Sequence, residues 1–203
     1  MASYHGDLDA ANSKSNAGLN INMKNKIGET PLIAAVEGGH SEMIKVLIQA
    51  GVELNARDWH GTALIWAIEL GKIEVLGLLI NAGAEINTQD SEGIIALSRA
   101  IQMKQAENAG ADPSYKFTKI IKMLLDAGTA PHAVSIDGTT ALMEASNLKD
   151  YEIAQMLIAA GAKVNAVDTK GQTALIMAVP RIACYYLINS CSFSKMSWTS
   201  TTD

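Results

Sequence analysis

The feature that most constrains this chain is an internal repeat. Segments starting at Gly28, Gly61, Gly93, Gly138 and Gly171 read GETPLIAAVEGG, GTALIWAIELGK, GIIALSRAIQMK, GTTALMEASNLK and GQTALIMAVPRI. A second motif follows each of the first four: KVLIQAGVELNA, GLLINAGAEINT, KMLLDAGTAPHA and QMLIAAGAKVNA. Leu32, Leu64, Leu97, Leu142 and Leu175 are separated by 32, 33, 45 and 33 positions, and Gly51, Gly83, Gly128 and Gly161 by 32, 45 and 33. Two independent landmarks thus share one spacing. A unit this short cannot bury its apolar face alone, so neighbouring units must stack and share a core.

Each unit reads as two short helices and a hairpin. Thr30, Thr62, Thr140 and Thr173 are predicted helix N-caps, followed by Pro31 or an alanine at the first helical position. The first helix breaks near Gly38-Gly39, Gly71 or Lys149-Asp150. The second shows a helical apolar pattern, Met43, Ile44, Val46 and Leu47 in one copy and Ile153, Met156 and Leu157 in another. Ala-Gly then ends it, glycine taking the left-handed conformation. Val52 to Gly61 carries turn residues around an extended Leu-Asn-Ala, as a projecting hairpin would.

A unit of about 33 residues with a Thr-Pro-Leu helix start resembles the ankyrin repeat. TPL is literal at Thr30–Leu32, and TAL replaces it at Thr62–Leu64, Thr140–Leu142 and Thr173–Leu175. The family's usual histidine after that leucine is absent; Ile33, Ile65, Ser98, Met143 and Ile176 stand there, which implies a weakened capping network. The resemblance covers roughly residues 5 to 190. The expected fold is all-α with short β-hairpin loops, an ankyrin-repeat α-solenoid.

The expected units are a degenerate capping half-repeat at 1–24, repeats at 25–57, 58–89, 90–134 and 135–167, a shortened capping repeat at 168–191 and a mobile tail at 192–203. Polar Asn12, Ser13, Lys14 and Ser15 suit a solvated end cap. The extra 12 residues of the third repeat, about 104–115, read as a prolonged first helix, a stop at Gly110 and an early second helix with Asp112 as cap and Pro113 at its first position. That insertion is either functional or tolerated.

Composition narrows function. Hydrophobic residues make up 48% of the chain and aromatics 5%, so the core must come from Leu, Ile, Val, Ala and Met. A formal net charge of -5 opposes sequence-independent nucleic-acid binding, which needs a cationic surplus. No apolar run of membrane-spanning length occurs, and MASYHGDLDAANSK has neither a basic start nor an apolar core, so no membrane span and no secretory signal are expected. Cys184 and Cys191 read as small, buried or half-buried thiols, and His5, His40, His60 and His132 show no ligand spacing. GGHSEM is a helix break, with no phosphate-loop pattern. The chain is therefore expected to be a non-catalytic, cytoplasmic monomer without cofactor or metal.

The resemblance implies a concave face of hairpin tips and first helices that binds protein partners. Tip positions are Lys26-Ile27, Trp59-His60, Ser91-Glu92, Ile136-Asp137 and Thr169-Lys170. Two residues after the leucine stand Ala34, Trp66, Arg99, Glu144 and Met177; five after it stand Glu37, Glu69, Gln102 and Asn147. The candidate partner-binding set is Trp59, His60, Trp66, Glu69, Glu92, Arg99, Gln102, Glu144 and Asn147. Trp and Arg are enriched at binding hot spots, and the acids Glu37, Glu69, Glu92 and Glu144 favour a protein or peptide with basic residues. The alternatives are that Trp66 packs as local core and Trp59 lies flat on a neighbouring hairpin. His60 either takes the conformation glycine holds elsewhere or sits in a turn one residue tighter. A different role is that of a spacer or regulator acting through the insertion. The resemblance also makes Asn55 and Asn87 candidate substrates of an asparaginyl hydroxylase, against the reading that each bonds across its hairpin.

Overall fold

The computed structural model describes residues 20–108 and 115–179, without the side chains of 105–108 and 115. Helices come in pairs: α1 (Pro31–Gly38) with α2 (Ser41–Gln49), α3 (Ala63–Glu69) with α4 (Ile73–Asn81), α5 (Ala96–Asn108) with α6 (Tyr115–Asp126), and α7 (Ala141–Asn147) with α8 (Tyr151–Ala159), followed by α9 (Ala174–Ala178). First helices pack on first helices along the row α1, α3, α5, α7, α9, and second helices on second helices along α2, α4, α6, α8. Among the described residues there is no continuous strand. The loops hold isolated antiparallel bridges, Arg57 with Thr62, Gln89 with Ile95 and Val134 with Thr140.

The threonines start the helices as expected. Their Oγ1 atoms accept the backbone N–H three residues on: Ile33 on Thr30 at 3.2 Å, Ile65 on Thr62 at 3.5 Å, Met143 on Thr140 at 3.2 Å and Ile176 on Thr173 at 3.3 Å. Each cap satisfies one orphan helix N–H and contributes about 1 kcal/mol. Capping therefore survives loss of the family's histidine, whose place is taken by fully buried Ile33, Ile65, Ser98 and Met143. Ser98 fills it least well, for its hydroxyl is buried without a hydrogen-bond partner. The glycines ending the second helices are left-handed, as at Gly51 with φ 77°. In the fourth repeat Lys149 (φ 57°) must adopt that conformation at the break, where Gly39 and Gly71 stand in repeats one and two.

The core is a strip of aliphatic residues between the two rows. Leu32, Leu64, Leu97 and Leu142 are each at most 2% exposed, whereas Leu175, their counterpart on α9, is 73% exposed. Val179 follows α9 in an extended conformation, which the next residue, Pro180, favours. The terminal half-repeat up to residue 19, Asp112-Pro113, both cysteines and the tail lie outside the described residues. Part of the insertion is described: α5 has 13 residues where α3 and α7 have 7, so the first helix is prolonged as expected. Lys104, almost buried on that extension, reaches the carboxylate of Asp150 at 2.7 Å and ties repeat three to the start of α8.

The hairpins form a second, polar line of contact. Ser91 N–H donates to the His60 carbonyl (2.8 Å), Ile136 N–H to that of Gly93 (3.1 Å) and Thr169 N–H to that of Asp137 (3.2 Å). Gly138 illustrates how close these loops come: a Cβ there would lie 3.1 Å from the backbone nitrogen of Thr169. Asn55 and Asn87 correct the sequence reading. Their side-chain carbonyls do not bond across their own hairpins but accept the N–H of the next repeat, Glu85 at 2.8 Å and Ala130 at 2.9 Å.

Candidate functional site

An acidic or amide residue stands three positions before the turn glycine in four of the five copies: Asn25, Asp58, Asp90 and Asp168, with Ser135 in the fourth. Its side chain organises the tip. One oxygen of Asp90 accepts the N–H groups of Glu92 (2.8 Å) and Ile94 (3.0 Å), and Asp168 does the same for Lys170 and Gln172, both at 2.8 Å. In the second repeat the turn is one residue tighter. Asp58 N–H reaches the Gly61 carbonyl, whereas Asp90, Ser135 and Asp168 each reach the residue four on. His60 does not take glycine's conformation, since Lys149 is the described non-glycine residue with positive φ.

The first helix supplies a donor for the second oxygen of that Asp. Trp66, two residues after Leu64, gives its indole Nε1–H to Asp58 Oδ2 at 2.9 Å. Arg99, two after Leu97, gives Nε–H to Asp90 Oδ2 at 2.7 Å. Two unlike residues thus brace their own hairpins in the same way. The brace gathers three rings: Trp66 lies 4.9 Å from His60 and 6.0 Å from Trp59, the two indoles nearly perpendicular at 79°. Trp66 is half-buried against the core, while Trp59 remains 62% exposed. The core reading of Trp66 holds in part, for the ring packs against the core while its Nε1–H braces the hairpin tip.

Polar contacts continue across repeats. His60 Nε2 is 2.9 Å from Glu69, whose other oxygen is 3.2 Å from Arg99 Nε. Arg99 also bonds Glu92 at 2.7 Å and Gln102 at 3.4 Å, and Gln102 donates to Glu144 at 3.1 Å. Of the nine residues singled out from sequence, eight join one continuous strip. The ninth, Asn147, is exposed and shares with Glu144, Asp137, Lys149, Lys170 and Met177 the lining of a cleft of about 550 Å³. Arg99 is directed inward onto Asp90, with its side chain 14% exposed. Burial works to lower its pKa, but the hydrogen bonds of Glu92 and Asp90 outweigh this and raise it. Residues 1–90 and 111–196 match the family model for ankyrin repeats in three copies. The chain belongs to the ankyrin-repeat family.

A stretch of 61 residues is also 34% identical to an ankyrin repeat-containing protein of Schizosaccharomyces pombe, covering 30% of this chain and 30% of that protein. Ankyrin repeats are generally protein–protein interaction modules and typically non-catalytic. No helix among the described residues is long and apolar enough to cross a membrane.

Within this ankyrin array Asp58 and Asp90 are the site residues that sequence reasoning missed, and their fixed offset from the glycine was the available signal. Glu144 breaks the pattern they set. It stands where Trp66 and Arg99 donate, but Ser135 replaces the hairpin Asp, so Glu144 has the Gln102 amide and no cation bonded to it among the described residues. Burial pushes its carboxyl above the ordinary value of 4.5 and Asp137 adds to the push, outweighing the Gln102 hydrogen bond and the nearby charge of Arg99, which lower it. A carboxyl with a raised folded pKa destabilises the fold once it ionises. This penalty is present above the folded pKa and vanishes below the unfolded value. Glu144→Gln should therefore raise the melting temperature at pH 7 and leave it unchanged near pH 4, which paired thermal melts at the two pH values would test.

Proposed function

We propose that this protein is a recognition module that binds a protein or peptide with basic residues along its hairpin and first-helix face, centred on Trp59. The observation that carries this is the state of that indole. A large apolar ring stands exposed at a tip, while Asp58, His60 and Trp66 hold the surface beneath it in one arrangement. Rigid aromatic area of this kind is desolvated at low entropy cost.

Charge supports a basic partner. Glu69, Asp90 and Glu92 are grouped around one guanidinium, Asp58 is held by the Trp66 indole in the preceding hairpin, and Glu37, whose carboxyl is pushed up by burial and then by Glu29 and Asp58, extends the acidic run into the first repeat. The potential over this face favours cationic groups and speeds their encounter.

Trp59→Ala tests the reading. With the side chain mostly in solvent, the melt should shift little. Affinity for basic peptides selected against the wild-type chain from a displayed library should fall by about 2 kcal/mol or more, roughly thirtyfold. Selected peptides that bind the variant equally well would place recognition elsewhere.

A further inference from the structure

Glu144 and Trp59 lie on the same face two repeats apart, and the surface between them differs from either end. There the carboxylates of Glu69, Asp90 and Glu92 meet Arg99, and Gln102 bridges onward to Glu144. The strip is thus paired at its centre, while its two ends keep groups open to a partner. At one end stands the exposed Trp59, and the next hairpin, bonded to this one through Ser91 and His60, carries Glu92, whose carboxylate pairs with Arg99 yet remains 66% exposed. At the other, the half-buried Glu144 lines the cleft, with Asp137 and Asp168 against Lys149 and Lys170, so carboxylates still outnumber ammonium groups. A half-buried carboxylate that lines a cleft with no cation bonded to it among the described residues is what a binding site, rather than a brace, requires.

We propose that this face holds one extended peptide strand with two cationic side chains about six residues apart, one over Trp59 beside Glu92 and the other in the Glu144 cleft. The spacing follows from the array. Packed helices are about 10 Å apart, so two repeats span roughly 20 Å. An extended chain rises about 3.4 Å per residue and covers that in about six. Arginine suits the Trp59 end, because a planar guanidinium stacks on indole while pairing with a carboxylate. In the cleft the second cation pairs with Glu144, to which Gln102 donates and no cation is bonded among the described residues. The inference rests on the proposed function and adds to it a register and a second anchor.

The test uses the full chain and fluorescein-labelled peptides of glycine, serine and threonine that carry one arginine, or two separated by about three, six or nine positions, titrated by anisotropy. The six-residue spacing should bind roughly tenfold tighter than the other spacings, because only there does the second contact become intramolecular. Glu144→Gln, which keeps the shape and the Gln102 contact, should reduce that peptide to the affinity of the single-arginine peptide. Trp59→Ala should remove the first anchor and weaken all the peptides. Binding that depends on Trp59 but ignores both spacing and Glu144→Gln would overturn this inference and leave the proposed function standing. Absence of binding to any arginine peptide, with the melts intact, would reject a basic partner and the inference with it.

Discussion

Arg99→Ala is expected to destabilise the array by about 3–5 kcal/mol, although Arg99 lies on the face proposed for binding. The Asp90 carboxylate beneath it is fully buried, and Arg99 is the charge that balances it. Removing the guanidinium leaves Asp90 with the backbone N–H groups of Glu92 and Ile94, and frees Glu69 to oppose it unscreened. Losing one member of a buried pair costs far more than the pair contributes, because the remaining charge stays desolvated. For a chain of this size the midpoint should fall by roughly 10 °C. Arg99→Lys should recover part of the loss, since an ammonium keeps the charge but cannot replace a fork that reaches Asp90, Glu92 and Gln102 together. Urea titrations of the three proteins check this. A loss below about 1 kcal/mol would mean that water reaches Asp90 and that the network is an ordinary exposed one.

That expectation separates two residues that sequence pattern alone had grouped. Repeat spacing put Trp59 and Arg99 on one face, and the structure agrees, but spacing does not say which side chains are available there. Glu69 is five residues after Leu64 and Arg99 two after Leu97, so their contact belongs to the junction between copies and is invisible within either one. The threonine caps, the glycine stops and the prolonged α5 were legible because each depends on a few adjacent residues. The tight second turn was visible as a missing residue, but its consequence depended on Asp58, whose role becomes apparent only when its second oxygen meets Trp66. Leu175 marks the opposite limit: it matches the buried leucines letter for letter, yet is exposed, because burial in a stack is set by what lies alongside and not by the residue itself.

The largest core effect is expected in the repeat with the insertion. Phe117 is 2% exposed on α6 and stands eleven residues before Gly128, where the other copies place His40, Lys72 and Asp150. The early start of the second helix therefore adds an aromatic side chain to the core at a position that is polar elsewhere, so the inserted segment contributes to packing. Phe117→Ala should cost about 3–5 kcal/mol through lost transfer energy and the cavity left behind. In a stack held by nearest-neighbour interfaces, weakening the middle unit also uncouples its two sides. α6 packs on both α4 and α8, so repeats one and two should then unfold separately from repeat four. In a background where Trp198 is replaced by phenylalanine, fluorescence reports Trp59 and Trp66 in the second repeat, while circular dichroism at the helix band reports the whole array. The two urea curves should coincide for that background and diverge once Phe117→Ala is added, with a smaller m-value for the fluorescence transition. Coincident curves with a loss under about 1 kcal/mol would show that repeat three is not what couples the two ends.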